Sequence, residues 1–211
     1  MTKQDPAATP RPAPTTPAPG GWGSSIADPG PLGLAAFALT TFVLSVFNSG
    51  MIKTGDGVVL GLALAYGGLA QLLAGMWEFA KGNTFGATAF SSYGAFWLSF
   101  WYLTGHTDLS GASSPTDLQH SVGLYLLGWT IFTALMTVAA SRVSGAVFAV
   151  FVVLTATFLL LALADLTTTA SLGKIGGWLG VVTALLAWYT AFAGVTAFTH
   201  KRSLVPTGPR E

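Results

Sequence analysis

The sequence predicts an all-α membrane protein with six transmembrane helices, and three observations predict it. Only 8% of the 211 residues are charged and 52% are hydrophobic. An average soluble domain carries roughly a quarter charged residues, and so few charges cannot solvate the surface of a globule of this size. Mean hydropathy is +0.62. Six apolar stretches reach the ~20 residues that a bilayer crossing requires. In hydrocarbon every backbone group must be paired internally, which leaves helices or a closed barrel. The ~10-residue alternating segments of a barrel are missing, so the stretches read as helices.

Residues 1–27 form a Pro-, Ala- and Thr-rich segment, MTKQDPAATPRPAPTTPAPGG and onward. It has too few large apolar groups to offset its ordering entropy and reads as a disordered tail. Without an apolar h-region it is not a secretory signal. The membrane domain occupies residues 28–200. Span 1 runs from about Pro31 to Ser49, opened by DPGPLGLAAF. Proline at a helix start lacks a donor that would be orphaned anyway, and its φ is already helical. Free N–H groups and positive dipole at that first turn suit a carboxylate. Span 2 (Gly57 to Trp77) carries the close-packing pattern GGLAQLLAG, whose small residues let helices approach. Span 3 covers Thr84 to Leu103, span 4 Ser121 to Ala140, span 5 Gly145 to Leu163 and span 6 Ile175 to Phe198. Residues 201–211 form a second, loose tail.

Charge sets the orientation. With six spans both termini share one side, which holds Lys3, Arg11, Lys81, Arg142, Lys201, Arg202 and Arg210, against Lys53 and Lys174 on the other. The positive-inside rule puts both termini in the cytoplasm.

Several function classes are excluded. A net charge of +1 offers no basic field for nucleic acid. The chain has no cysteine, hence no disulfide or thiolate site. His106, His120 and His200 lie in or near loops, and no HExxH or paired acids occur in the spans. No enzyme, metal or cofactor chemistry is therefore expected. No lysine lies inside a span to hold retinal.

Polar stripes should point away from lipid. Phe37, Thr41, Ser45 and Asn48 share one face of span 1. Thr84, Thr88, Ser91, Ser92 and Ser99 lie near one face of span 3, with Tyr93 beside it. Thr183, Ala187, Thr190 and Gly194 make a small, mildly polar stripe in span 6, and span 5 adds Leu154, Thr155 and Thr157. Singly, such Ser and Thr bond to their own backbone or join helices. Three stripes together suggest a shared polar path. Gln71, mid-span, needs a partner and shares a face with Gly75 and Glu78. Glu78 is either an exposed i,i+3 pair with Lys81 or part of a pore mouth, with Asp28 a second acid nearby.

DPGPLGLAAF, YGGLAQLLAGMWEFAKGNTFGATAFSSYGAFW and GWLG closely resemble the acetate uptake transporter family, whose members include succinate–acetate permeases and ammonia/acetate exporters. The likeness covers about Asp28 to Phe198. The family pattern opens Asn-Pro-Ala-Pro-Leu-Gly-Leu; here Asp28 and Gly30 replace its Asn and Ala. The resemblance implies a homo-hexamer in the plasma membrane, each protomer with its own anion path. It also implies a hydrophobic constriction matching Phe37, Tyr93 and Leu154, and a residue tied to substrate size matching Ala187. The cargo would be acetate or a similar monocarboxylate, with succinate, ammonium and formate also open. Thr41, Asn48, Gln71, Thr88 and Tyr93 are expected to replace its water shell. Channel-like passage and proton-coupled symport both fit; in a symporter Glu78, or second to it Asp28, would couple the proton. On residues alone the favoured reading is that DPGP is a helix cap and Phe37 ordinary packing; a non-transport structural protein is the remaining alternative.

Overall fold

The computed structural model describes residues 26–108 and 111–208, so the predicted N-terminal tail lies almost wholly outside the described residues. Within them the chain forms six helices and no strand. These are α1 (Gly30–Asn48), α2 (Val58–Lys81), α3 (Thr84–Gly105), α4 (Pro115–Ala140), α5 (Gly145–Leu166) and α6 (Ala170–His200). Each contains one expected apolar stretch. Five run beyond it, and caps rather than the apolar limit set several of the ends. α4 starts at Pro115 because Ser114 Oγ accepts the Asp117 N–H at 3.1 Å and proline suits the first helical position. α2 continues to Lys81 and stops at Gly82, whose φ of 76° is the left-handed cap that glycine takes without strain. α5 starts where Ser144 Oγ accepts the Val147 N–H.

Five of the six helices are long and apolar enough to cross a membrane; α3, with its Ser, Thr and Gly, is not among them. The exposed surface is apolar, as lipid contact demands: Leu124, Ile131, Leu135 and Val138 stand out from α4.

The helices form a ring. α1 packs on α6 and α2, α2 on α3, α6 on α5 and α5 on α4. The α3 and α4 backbones scarcely approach, and side chains close the gap. Tyr93 and Thr133 share a hydroxyl bond of 2.9 Å, Ser99 and Tyr125 one of 2.7 Å. The Phe96 ring stands 5.1 Å from Trp129 and 5.9 Å from Tyr125. By contrast α1 and α6 meet backbone to backbone: a Cβ on Gly177 would overlap Asn48 and Ser49. In α2 the helix widens into a π-turn over Ala65–Ala70.

Most buried hydroxyls are spent locally. Thr40, Thr130, Thr133, Thr157, Thr183, Thr190 and Thr196 each donate to the carbonyl four residues back. This satisfies a polar group where no water can.

The segment after α6 is not loose as far as Gly208. The Tyr189 hydroxyl donates to Pro206 O at 2.6 Å. The Ala146 and Gly145 N–H groups donate to Thr207 O and Gly208 O at 2.9 and 2.7 Å.

Gly177→Val should lower stability by about 1–3 kcal/mol through overpacking. The thermal unfolding midpoint in detergent checks it; an unchanged midpoint would mean that α1 and α6 have room to spare.

Candidate functional site

Three voids lie in sequence inside the ring. A cavity of about 260 Å³ opens at the end of the bundle that carries Asp28 and Thr207, here the terminal cavity. One of about 350 Å³ lies toward the other end, beside Asn48, Asp56, Thr104 and Asp165, here the distal cavity. Between them is a space of about 20 Å³ lined by Leu34, Phe37, Gln71, Tyr93, Phe151 and Leu154, among others. Leu34 and Phe151 also face the terminal cavity, and Phe37 and Leu154 the distal one. These residues are therefore the walls that separate the voids. The middle space holds about one water, so a solute larger than water passes only if side chains move.

The constriction residues expected from the sequence come together here. Phe37, Tyr93 and Leu154 are 4, 3 and 3% exposed, so none faces lipid. The Phe37 and Tyr93 rings stand 5.7 Å apart. Tyr93 also has Phe132 at 5.6 Å, Phe151 at 6.0 Å and Trp129 at 6.1 Å around it. Its hydroxyl is tied to Thr133. Four rings and one hydrogen bond leave Tyr93 little rotational freedom, whereas Phe37 and Leu154 are held by packing alone.

The polar residues divide. The α1 stripe behaves as expected: Phe37, Thr41, Ser45 and Asn48 all face the distal cavity. Thr41 is the buried threonine whose hydroxyl has no partner, in contrast to the seven that bond backward. Gln71 is buried against the middle space, and its Oε1 likewise lacks a partner. The α3 stripe does not converge. Thr88 lines none of the three voids. Ser91 lies against Gly75 of α2, and Ser99 bonds to Phe96 O and Tyr125. The stripe is thus divided between α2 and α4, and Tyr93, Phe96 and Trp97 are among the α3 side chains that face the voids instead. Ala187 is fully buried in the cluster that contains Phe37, Tyr93 and Leu154, yet it lines none of the voids. Thr155 bonds to Thr137 of α4 and joins helices.

Glu78 is not an exposed partner of Lys81. It is 1% exposed and receives the Asn83 Nδ2–H at 2.9 Å, while Asn83 Oδ1 caps α3 through the Gly86 N–H at 3.1 Å. A Cβ on Gly30 would stand 3.5 Å from Glu78 Oε1, and one on Gly86 2.9 Å from it. The carboxylate thus lies against the first turns of both α1 and α3, where helix dipoles favour negative charge. Asp28 takes the Gly30 N–H at 3.2 Å. The anion-favouring first turn of α1 is therefore served by the chain's own acids, not left for a solute as the sequence suggests. Both acids face the terminal cavity.

Sequence reasoning missed the acids of the distal cavity. Asp56 and Asp165 line it, although Asp165 reads as a loop residue; it stands in the last turn of α5. Trp97, buried and lining the same cavity, was also missed, because an aromatic in an aromatic-rich helix carries no signal of its own. No Lys or Arg lines any of the three voids.

Residues 15–209 match the GPR1/FUN34/yaaH family. The chain belongs to that family. Among its relatives is the "Ammonia transport outward protein 2" of Saccharomyces cerevisiae, 45% identical over 192 residues that cover 87% of this chain and 66% of that one. The "Succinate-acetate/proton symporter SatP" of Escherichia coli is 36% identical over 185 residues, covering 88% of this chain and 97% of that one. The chain spans just under two thirds of the length of the fungal relatives it matches. The solved structure of the bacterial acetate channel SatP superposes with a TM-score of 0.79 at 35% identity, covering 87% of this chain and 100% of that one. With that fold and five helices apolar enough to cross a bilayer, this family member is a multi-pass membrane protein.

Thr133→Val should leave the Tyr93 hydroxyl buried without its partner and cost about 1–3 kcal/mol. Tyr93→Phe made together with Thr133→Val should recover most of that loss. A double-mutant cycle on thermal unfolding measures both; additive losses would mean that the two hydroxyls are not coupled.

Proposed function

We propose that the protein carries acetate and related small monocarboxylates across the plasma membrane, through a path within each protomer pinched at Phe37, Tyr93 and Leu154. All six helices span, both termini are cytoplasmic, and the protomers assemble as a hexamer. The observation that carries the reading is the burial of those three side chains together between two larger cavities. A catalytic role has no comparable support, since the groups facing the voids form no nucleophile–base or ligand set.

Chemistry gives such a path a purpose. A monocarboxylic acid with a pKa near that of a Glu side chain, about 4.3, is neutral in only about one molecule in 500 at pH 7. Diffusion of the neutral form is then slow when little acid is present. Moving the bare anion through a low-dielectric pinch is costly. The acids Asp28 and Glu78 at one cavity and Asp56 and Asp165 at the other repel that anion further and attract protons. They favour passage of acetate together with a proton. Thr41 and Gln71, unpartnered on either side of the Phe37 wall, are the groups placed to exchange hydrogen bonds with it. Asn48 extends the polar wall of the distal cavity. Thr88 drops out of this role on its position. The methyl group tolerates the apolar ring, whereas succinate is penalised by size and second charge.

The same acid-lined cavities favour a second reading, ammonium as cargo, for which a relative named for ammonia export gives further support. Uptake of labelled acetate and of methylammonium into proteoliposomes separates the two. Phe37→Ala or Leu154→Ala should raise acetate flux several-fold or admit larger acids. Unaltered flux and selectivity in both would remove the constriction. Glu78→Gln should abolish acetate-driven proton movement while sparing a residual flux; unchanged coupling would exclude Glu78 as the proton carrier.

A further inference from the structure

We infer that residues 201–208 form a strap that closes the terminal cavity and gates access to it. The strap begins with a reversal. α6 is the longest helix, 31 residues, and ends at Lys201, whose φ of 56° lies in the left-handed region. A non-glycine residue there costs roughly 1–2 kcal/mol, so other contacts must hold the turn. The Lys201 ammonium sits 4.1 Å over the Phe198 ring, and Ser203 Oγ donates to Val205 O at 3.0 Å. The chain then runs back along α6 until Pro206 O receives the Tyr189 hydroxyl at 2.6 Å. Tyr189 stands 11 residues before the end of α6, about 16 Å along the helix axis at 1.5 Å per residue.

The strap ends on the mouth of the cavity. The first three N–H groups of a helix have no intrahelical acceptor. In α5 each has a partner: Val147 N–H on Ser144 Oγ, Ala146 N–H on Thr207 O and Gly145 N–H on Gly208 O. Two of those three come from the strap. Thr207 itself lines the terminal cavity, as do Asp28 and Glu78. Ser144 and Val147, at the same helix start, line it too. The strap is thus pinned at two places, Tyr189 and the α5 start, and its far end is a wall of the void. Its pins are hydrogen bonds to carbonyls near the surface, each net worth about 0.5–1.5 kcal/mol. Its side chains are mostly exposed; Lys201, Arg202, Ser203 and Leu204 all face outward. Little apolar burial opposes release, and water can take the freed N–H groups. The strap therefore opens without disturbing the six helices.

Access to the cavity can be read without assuming any cargo; only the flux arm rests on the function proposed above. The chain contains no cysteine, so Thr190→Cys places a single thiol in the terminal cavity. Thr190 lines that cavity and is 8% exposed. Its reaction with a small methanethiosulfonate is followed in three backgrounds: the full chain, the chain ended at Arg202, and the full chain with Tyr189→Phe. Modification should be at least tenfold faster in the shortened chain and several-fold faster with Tyr189→Phe, which keeps the whole sequence and removes one pin. Equal rates in all three would overturn the strap. Acetate uptake should rise in the same order. If the thiol is unmasked but acetate flux stays constant, the strap stands and the path through this cavity is wrong.

Discussion

The ring closes across its widest seam through side chains, and the hydroxyl bond between Tyr93 and Thr133 is the bridge nearest its centre. Elsewhere neighbouring helices meet through backbones or small residues, and the α1–α6 seam at Gly177 leaves no room for a side chain. Between α3 and α4 the backbones stand apart, and bulky side chains span the interval. Tyr93 is the one that both bridges this seam and walls the small middle space. Its hydroxyl satisfies a polar group that has no water to turn to, and its ring sits among Phe37, Trp129, Phe132 and Phe151. A side chain that closes the bundle cannot easily swing, so motion at the pinch falls to Phe37 and Leu154. The widest separation of backbones is in this way tied to the narrowest point of the interior.

Much of this was legible in the amino-acid order. Helix positions followed from apolar length, because lipid leaves a chain few ways to pair its amides. Phe37, Thr41, Ser45 and Asn48 recur at helical spacing and do face one cavity. The grouping of Phe37, Tyr93 and Leu154 came from family likeness, as no pattern in the residues themselves joins three distant helices. Polarity misled in α3. There Ser91 packs against Gly75 of α2 with its hydroxyl unpartnered and Ser99 bonds to a tyrosine across the seam, so neither hydroxyl lines a void. The acids also escaped. Whether Glu78 is solvated or enclosed turns on Gly82 folding α3 back over it, a tertiary event that local charge spacing does not contain.

The distribution of charge around the voids is the other organising fact. Four carboxylates face the two cavities and no cation does. At the terminal end two of them rest against helix starts, so backbone dipoles rather than lysines stabilise them. Such a site spends its dipoles on the chain's own carboxylates and repels any further negative charge.

The π-turn at Ala65–Ala70 divides α2 into two halves whose angular registration differs from that of a continuous α-helix. Each residue of an α-helix turns the chain by about 100°, so the wide turn sets the heading of everything after it. Gln71 and Glu78 both follow it and both point indoors. Excising a single residue from Ala65–Ala70 would let the helix rewind and swing that half by about the same angle. An amide and an acid would then be delivered to the oily exterior, although no side chain that touches the pathway had been altered.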